Sequence, residues 1–512
     1  MDSLKFVILP PSGFCIISIL ALIALYAVTT TLLPGLRSLP GPYLAKFTDG
    51  WRLYKVYCGN YEQTIIELHQ RYGDIVRIGP NAVSIADPAA LESIYGLKAN
   101  YRKSKFYNAF MQMNKGKPVE SFFTTQNISW HSAIKRPVSS AYSMTTLTDY
   151  EPHVNEVINQ LIEQLTVGYC SDINQVQVCP IASWIHFFSF DVIAKMTWSD
   201  TIGFLESGED VDGMIRTMES DMDYFATVGQ MPWVDNLIRK NPVARYVIKK
   251  TSNSAKFGLD KIQQRREKTV LSSDEQTDFL SKFLKAAKAN PQLVDDQAIV
   301  SYMVTNLVAG SDTTAISIRA VLYYLLKTPS AYKRLRDEID QASLPEGPVS
   351  WADSQKLPYL NACIKEAFRM HPAVGVPLER LTQSGYKLPN GVQVPEGTIV
   401  GISAWVIHRN TKIFGEQVDQ YVPERWLQQP GESISTFDER IKQMKRADMT
   451  FGRGSRTCLG KNIGMMETCK AVPTLLKAFD ISLVDPEKEW RLRNSWFVRQ
   501  EGIEVYLKKR SK

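Results

Sequence analysis

The sequence lacks the cysteine pattern of a disulfide-stapled protein. Its 512 residues contain seven cysteines, which is an odd number at irregular intervals, and no two of them form a CxxC pair. Disulfide frameworks are usually built from an even number of cysteines in a short secreted chain. We therefore expect a protein whose folded body lies in a reducing compartment.

The sequence also has only a small excess of positive charge and no repeated or compositionally biased segment. The formal net charge is +7 and no long tract of lysine and arginine concentrates it, which argues against a nucleic-acid partner. No internal repeat, low-complexity stretch, or flavin or dinucleotide motif is found. Apolar residues make up 44% of the chain and charged residues 22%, values typical of a globular protein with a large core.

Only one apolar run is long, and it lies near the N-terminus. Residues 13–33 contain no charge and are long enough, as a helix, to cross a bilayer about 30 Å thick. A cleaved signal peptide would have a shorter apolar region and a small-residue cleavage site. More basic residues follow the run than precede it, which predicts a cytoplasmic body. The expected organisation is a lumenal N-terminus (1–12), a transmembrane anchor (13–33), a proline-rich hinge (34–50) and one body (51–512).

Helical periodicity dominates this body, so the sequence predicts a mainly α domain with minor β structure. The Pro40 and Pro42 region cannot continue a helix. The segments with the clearest patterns are a β-hairpin at 74–86, helices at 295–327, 359–370 and 460–479, strands at 386–394 and 398–402, and a terminal hairpin at 496–507.

The most informative stretch is Phe451-Gly452-Arg453-Gly454-Ser455-Arg456-Thr457-Cys458-Leu459-Gly460. Its glycines permit tight turns and the close approach of a planar cofactor. The stretch leads one cysteine into the N-terminus of a helix, where backbone N–H groups stabilise a thiolate. Arg456 places a cation two residues away, which is expected to add to that stabilisation.

This stretch resembles the haem-binding loop of the cytochrome P450 family, F-x-x-G-x-R-x-C-x-G, at every fixed position. The resemblance implies a cytochrome P450 fold around haem b, with Cys458 as the iron ligand and Phe451 and Gly452 against the cofactor. A thiolate ligand favours O–O cleavage. Arg456 would pair with a haem propionate. The alternative is a buried structural cysteine beside a loop.

The long helix carries a second resemblance in Ala309-Gly310-Ser311-Asp312-Thr313-Thr314. Glycine and buried polar groups inside an apolar helix are costly without a reason. In the family this segment crosses the distal face of the haem. There Gly310 would make room for oxygen, and Asp312 with Thr313 would guide protons. The alternative is a threonine that bonds back to its own helix.

Further family patterns follow downstream. Glu366 and Arg369 fit the E-x-x-R pattern, whose spacing puts both side chains on one helix face. The segment from Pro423 to Trp426 resembles P-E-R-F, with tryptophan in the phenylalanine position. The resemblance implies that Arg425 joins Glu366 and Arg369 in a buried network that supports the haem loop. The alternative is a surface ion pair, which stabilises little.

Of the two further propionate contacts that the family suggests, the upstream one departs from the family pattern. The family often has W-x-x-x-R upstream, but Ile134 stands four residues after Trp130. Shifted by one residue, His131 and Lys135 share a helix face, and many members carry histidine in the first position. We therefore expect His131 and Lys135 to contact a propionate, although a solvated histidine is an alternative. Arg380 occupies a place where the family usually has a further propionate arginine.

The resemblance covers nearly the whole chain and implies a monooxygenase of the endoplasmic reticulum membrane. It would oxidise a small apolar molecule with electrons from NADPH–cytochrome P450 reductase, with cytochrome b5 as a further possible donor. The segments Tyr43–Leu53 and Tyr101–Phe110 are similar to fungal pisatin-demethylase-like members, which favours secondary metabolism. The alternatives are a haem-thiolate isomerase or dehydratase, which would not need Asp312 and Thr313, and a non-catalytic haem sensor, which would need an output domain.

Overall fold

A computed structural model describes residues 33–510 except 115, 171–176, 244–253 and 272–276, together with Ser18, Ala21, Leu25 and Thr29. The described chain is mainly helical. Its α-helices, in chain order, are α1 Gly50–Tyr57, α2 Tyr61–Tyr72, α3 Ala89–Tyr95, α4 Ile128–Lys135, α5 Met144–Asp149, α6 Glu151–Tyr169, α7 Ile181–Trp198, α8 Phe204–Ser207, α9 Met214–Gly229, α10 Pro232–Leu237, α11 Ser254–Leu271, α12 Phe279–Ala289, α13 Asp296–Lys327, α14 Pro329–Gln341, α15 Trp351–Ser354, α16 Pro358–Met370, α17 Ala404–Ile407, α18 Thr411–Phe414, α19 Ile434–Ala447 and α20 Lys461–Ala478.

Short 3₁₀ helices and strands complete the described fold. The 3₁₀ helices are Leu44–Lys46, Lys105–Phe110, Arg136–Tyr142, Val211–Gly213, Pro423–Trp426 and Gly454–Arg456. The strands are β1 Ile75–Gly79, β2 Ala82–Ile85, β3 Gln112–Asn114, β4 Lys117–Val119, β5 Arg380–Leu381, β6 Ile399–Gly401, β7 Phe479–Leu483, β8 Arg491–Ser495, β9 Phe497–Glu501 and β10 Val505–Lys509. One sheet has the order β1-β2-β6-β5, and the pairs β3–β4, β8–β9 and β7–β10 form separate ladders.

Helix α13 is the central element of the domain. It packs against α7, α16 and α20, and its apolar side chains belong to the largest hydrophobic cluster. Asp295 caps its N-terminus by accepting a hydrogen bond from the backbone N–H of Ala298. Helix α7 is buried along nearly its whole length because apolar side chains occupy every face. The two helices fix the position of the polar segment in the middle of α13.

The structure confirms most of the predicted elements. The hairpin at 74–86 is β1 and β2, the helix at 295–327 is α13, and the helix at 460–479 is α20. The strand predicted at 386–394 is wrong, because only an isolated bridge joins Lys387 to Gln393. The terminal hairpin at 496–507 is also wrong. Trp496 is the turn between β8 and β9, while β10 pairs with β7.

The N-terminal part of the body packs onto the first strand. Leu36 and Leu39 are buried, and Arg77 donates a side-chain hydrogen bond to the Leu36 carbonyl at 3.2 Å. The residues expected to form a hinge are therefore held against the domain over this stretch. The predicted anchor at 13–33 lies almost entirely outside the described residues. Within the described part of the chain, no helix is both long and apolar enough to span a bilayer.

Candidate functional site

The loop before α20 presents Cys458 to the interior of the domain. The backbone N–H of Cys458 donates to the Phe451 carbonyl at 2.8 Å, which closes the loop into a tight turn. Gly452 and Gly454 both have a φ of 65°, and a Cβ on Gly454 would lie 1.9 Å from the Tyr95 carbonyl oxygen. Only glycine can occupy position 454, because a side chain there would collide with the backbone of α3.

The environment of the Cys458 sulfur contains opposing influences on its pKa. Burial among protein atoms raises the pKa of the thiol, although the Cys458 side chain is not fully covered and stays accessible. The backbone N–H groups of Gly460 and Lys461 and the positive charges of Lys135 and Lys461 lower it. Donors at the start of α20 therefore face the sulfur, as expected. Lys135 and Lys461 are thus two cations that favour the thiolate beside the expected Arg456, whose effect on the sulfur stays a prediction.

The predicted propionate contacts converge beside this loop. Burial lowers the pKa of His131 to about 3, and the cations of Arg456, Lys135, Lys103 and Arg380 add to that effect. Lys135 also donates to the Ser455 carbonyl at 3.2 Å. Burial and Arg380 lower the pKa of Arg456 to about 10. Side chains from four separate segments thus bring their positive charges to one place.

The sequence analysis missed one of these four cations, Lys103. This lysine is buried, donates from Nζ to the Phe123 carbonyl at 2.5 Å, and lies 3.9 Å from the ring centroid of Tyr107. Burial lowers its pKa well below the ordinary value, and the cations Arg380 and Arg456 lower it further. Fully buried lysines are rare unless paired. A lysine in an irregular segment gives no periodic signal that would have predicted its burial.

This cation cluster fits a ligand that carries two carboxylates, as haem b does. The neighbouring carboxylate does not neutralise it, because Glu379 pairs with Arg52 at 2.6 Å. Arg456 Nη2 is buried and has no hydrogen-bond partner among the described residues. Buried charge is stable only when it is compensated, so the cluster calls for anionic groups. The residues around Cys458 therefore suit a planar cofactor with two acidic side chains.

On α13, the structure separates the two residues predicted to act as an acid–alcohol pair. Thr313 is half-buried, and its hydroxyl donates to the Ala309 carbonyl at 2.6 Å, while Ala309 itself is exposed in the middle of the helix. Asp312 instead turns toward α7, where Oδ1 lies 2.6 Å from His186 Nε2. Thr313 thus faces an accessible part of the helix surface, and Asp312 faces the protein interior.

Gly310 has a packing role that the sequence analysis did not predict. A Cβ built on Gly310 would lie 2.8 Å from Cγ1 of Ile193 on α7. The glycine therefore lets α13 and α7 approach closely, which accounts for a costly residue inside a long helix. That Gly310 also makes room for oxygen stays a prediction.

The E-x-x-R pair is buried, so the surface-pair alternative is excluded. Arg369 binds both carboxylate oxygens of Glu366, at 2.9 Å from Nε and 2.8 Å from Nη2. Arg425 joins them at 3.3 Å, as the resemblance implied. Trp426 Nε1 donates to Glu366 at 2.9 Å, which phenylalanine in that position could not do. The departure from the P-E-R-F pattern therefore adds a hydrogen bond to the network.

His408 connects this network to the cysteine loop, a link that the sequence analysis missed. Its Nδ1 lies 3.1 Å from the Arg369 carbonyl, and its Nε2 accepts from the backbone N–H of Met449 at 2.8 Å. The carbonyl of Met449 in turn accepts from Gly452. His408 thereby ties Met449, 41 positions further along the chain, to α16. Gly452 of the cysteine loop is held through its bond to Met449.

Taken with the fold, these features define a class of protein. The domain is mainly helical, and its loop cysteine lies beside a cation cluster. A long helix carries an accessible threonine. This is the arrangement of a haem-thiolate protein. The sequence profile described as Cytochrome P450 matches residues 51–505, and the chain belongs to the cytochrome P450 family. It is a cytochrome P450 monooxygenase, and the cofactor of the family is haem b.

Similar curated proteins are fungal monooxygenases of the same family. The cytochrome P450 monooxygenase cicH of Emericella nidulans is 37% identical over 481 residues, which cover 93% of this chain and 94% of that protein. The cytochrome P450 monooxygenase cfoH of Aspergillus candidus is 35% identical, with 98% and 93% covered. The cytochrome P450 monooxygenase vrtE of Penicillium aethiopicum is 35% identical, with 93% and 90% covered.

Proposed function

We propose that the protein inserts one oxygen atom into a small apolar molecule in fungal secondary metabolism. The reaction is R–H + O₂ + two electrons + two protons giving R–OH + H₂O. The observation that carries the proposal is the interior Cys458 loop beside a cation cluster that suits haem carboxylates. Haem b supplies the oxidation chemistry when it is bound.

The residues of the chain have separate tasks in this proposal. The Cys458 sulfur would be the iron ligand, and the backbone donors of Gly460 and Lys461 favour its negative charge. The cation cluster would hold the two carboxylates of the cofactor. Phe451 and Gly452 line the same loop, where Phe451 packs edge-on against Phe368 with centroids 6.0 Å apart. Thr313 offers a hydroxyl on the accessible strip of α13.

An aromatic cluster beside the cations supports an apolar substrate. Phe106 stacks on Trp496 with ring centroids 5.4 Å apart, and Tyr107, Phe110 and Phe123 lie within 5.9 Å of the same indole. Trp496 has a φ of 76°, an uncommon value for a side-chain-bearing residue. Since Tyr107 and Phe123 also contact Lys103, the cluster borders the site. Such a wall contributes apolar contact and few hydrogen bonds.

The experiment that tests the function combines genetics with turnover. Metabolites that accumulate in a strain lacking the gene are supplied to the haem-loaded enzyme with NADPH, a cytochrome P450 reductase and ¹⁸O₂. We expect a product heavier by one ¹⁸O atom, formed only when NADPH and the reductase are present. An isomeric product formed without NADPH would instead support the haem-thiolate isomerase or dehydratase. Ligand binding without any product would support a sensor.

The accessible hydroxyl of Thr313 leads to a prediction about proton delivery. Thr313→Ala is expected to retain haem but to lower product per NADPH by up to about 100-fold, because a positioned hydroxyl no longer directs protons. The missing electrons should be found as hydrogen peroxide. Thr313→Ser, which keeps the hydroxyl, is the matched control. Equal product per NADPH in Thr313→Ala and the parent would remove Thr313 from the mechanism.

The electron donor is proposed to be an NADPH-dependent reductase, with cytochrome b5 as a second donor, and a basic surface supports its docking. Five of its six basic residues are exposed and Lys135 is half-buried; the exposed ones are Arg136, Lys442, Lys445, Arg446 and Lys461. Arg136 follows α4 and Lys461 begins α20, which places them on the cysteine side of the site. The carbonyl of Arg446 accepts a hydrogen bond from Arg453 in the cysteine loop, so α19 adjoins the same side. An acidic partner would be steered to this surface.

Reversing the charge of this surface should slow electron transfer. With Lys445 and Arg446 both replaced by glutamate, we expect the reductase to reduce the haem on the order of 10-fold more slowly at low salt. High salt should shrink the difference, because exposed charges are screened over about 8 Å at physiological ionic strength. Replacing the exposed Lys508 and Lys509 of β10 by glutamate makes the same change of charge away from α19. This control should leave the rate of haem reduction unchanged. Unchanged reduction in the α19 variant would place the docking surface elsewhere.

The membrane location is part of the same proposal. Residues 13–33 would anchor the chain in the endoplasmic reticulum membrane as a single span, with residues 51–512 on the cytoplasmic side. The uncharged run and the basic residues that follow it support this arrangement. A reductase in the same membrane would then meet the basic surface by lateral diffusion.

A further inference from the structure

A small cavity borders both the aromatic cluster and the cation cluster. Its wall includes Arg52 of α1, Tyr61 of α2, Phe106, Gln230 and Glu379. The space open to the centre of a water-sized atom is about 10 Å³, which admits about one oxygen atom. Phe106 also stacks on Trp496, and Glu379 is followed in the chain by Arg380. The cavity therefore adjoins the place proposed for the apolar substrate and the cofactor carboxylates.

Two hydrogen-bond donors of this wall have no partner. Arg52 and Tyr61 are 3% and 1% exposed. The Arg52 Nε and the Tyr61 hydroxyl are buried and make no hydrogen bond to any described residue. Burial raises the pKa of Tyr61, so its hydroxyl keeps the proton that it can donate. A buried donor without a partner costs about 1–3 kcal/mol, and a ligand that accepts from both would offset that cost.

The acceptors of the same wall already have donors. Glu379 Oε1 accepts from Arg52 Nη1 at 2.6 Å, and Glu379 Oε2 accepts from the Ser104 hydroxyl. The backbone carbonyl of Gln230 accepts from Arg52 Nη2 at 3.4 Å. The groups that remain to be satisfied are donors, so the cavity suits a ligand atom that accepts hydrogen bonds.

The charges around the cavity argue against an anionic ligand. Arg52 faces two carboxylates, because Asp49 Oδ1 lies 3.2 Å from its Nη2 in addition to the Glu379 contact. The charged groups that act on Tyr61 are these three alone. A carboxylate or phosphate group would add a further negative charge to a site that already has one in excess, and buried charge must be compensated. The cavity therefore suits an uncharged acceptor.

We propose that the cavity is a substrate subsite for an uncharged carbonyl oxygen, which accepts hydrogen bonds from Arg52 Nε and the Tyr61 hydroxyl. The substrate class is then an apolar ring system that carries a ketone, ester or lactone, with its rings against the aromatic cluster. A site built to hydrogen-bond a polar group discriminates strongly against the analogue that lacks it. This inference rests on the proposed monooxygenase function and names the substrate class for it.

The test measures saturable binding of three probes to haem-loaded full-length enzyme by equilibrium dialysis. Fluorenone and fluorene share one ring system and differ by a carbonyl, while a fluorene carboxylate carries an anion. Tyr61→Phe removes one donor and should weaken fluorenone binding by about three- to tenfold, as expected for one hydrogen bond. Fluorene binding should stay as in the parent. The carboxylate should bind more weakly than fluorenone.

A matched variant and a second measurement accompany this test. Tyr150 is also fully buried with an unpartnered hydroxyl, but it lies in a different hydrophobic cluster, so Tyr150→Phe should leave the binding of fluorenone and fluorene unchanged. The infrared carbonyl stretch of fluorenone bound to the parent should lie below its value in hydrocarbon solvent, because hydrogen bonds weaken the C=O bond. This measurement needs only the parent, so it decides even if Tyr61→Phe folds poorly.

The outcomes separate this inference from the proposed function. An unshifted carbonyl stretch, or a Tyr61→Phe variant that binds fluorenone as the parent does or loses fluorene equally, would mean that the cavity holds only water and would overturn the subsite. Tightest binding of the carboxylate would overturn it as well, since the cavity would then be an anion site. Probe binding needs no turnover. A parent without NADPH-dependent product would therefore defeat the proposed function, whereas an active parent without the carbonyl contact would defeat this inference alone.

Discussion

Cys458→Ala is expected to abolish monooxygenase activity and the spectrum of thiolate-ligated haem. The sulfur is the group toward which the backbone N–H groups of Gly460 and Lys461 and the charge of Lys135 are directed. Alanine has no lone pair to give to the iron, and the electron donation that favours O–O cleavage would be lost. The reduced, carbon monoxide-bound parent should absorb at the wavelength typical of thiolate ligation, and the variant should not.

The protein contains a matched control for this substitution. Cys58 is exposed and follows α1, so Cys58→Ala removes a thiol without touching the loop. We expect this variant to keep both the spectrum and the activity. Retention of the thiolate spectrum by Cys458→Ala would show that another residue is the ligand. The cation cluster is intact in Cys458→Ala, so haem could still bind through its carboxylates. The spectrum, rather than the haem content, therefore tests whether Cys458 is the ligand.

The cysteine loop could be predicted because a few consecutive residues determine its conformation. Gly452, Gly454 and Cys458 are specified by backbone conformation and by the start of a helix, both of which are properties of a few consecutive residues. The E-x-x-R pair was predictable for the same reason, since helical spacing alone puts Glu366 and Arg369 on one face. Arg425 followed only from the family resemblance, because its contact with Glu366 joins distant segments.

The missed residues depend on contacts between segments that the sequence does not bring together. His186 lies 126 positions from Asp312, and His408 lies 41 positions from Met449. A single histidine on an apolar helix carries no signal of its partner. Lys103 is buried against expectation for its residue type. The terminal hairpin was wrong for a related reason: alternation predicts a strand but does not say whether β7 or β9 will pair with β10.

Arg369→Ala is expected to prevent stable assembly of the cysteine loop. Glu366 is fully buried, and Arg369 binds both of its oxygens and also donates to the carbonyls of His408 and Val418. Removing one partner of a buried ion pair costs about 3–5 kcal/mol, because the remaining charge is uncompensated. A folded domain is stable by only about 5–15 kcal/mol, so this single change uses a large part of the total.

The consequence should reach the haem site through His408. The Arg369 side chain donates to the His408 carbonyl at 3.0 Å, and the His408 imidazole accepts from the backbone N–H of Met449. Loss of the Arg369 side chain should therefore loosen His408 and, through it, the start of the cysteine loop. Thermal unfolding and haem content of purified Arg369→Ala should both fall. Trp426→Phe is the graded comparison, because it removes one hydrogen bond to Glu366 and keeps the ion pair, at a cost of about 1–3 kcal/mol. If Arg369→Ala unfolded at the parent's temperature and kept its haem, the network would not be what holds the loop.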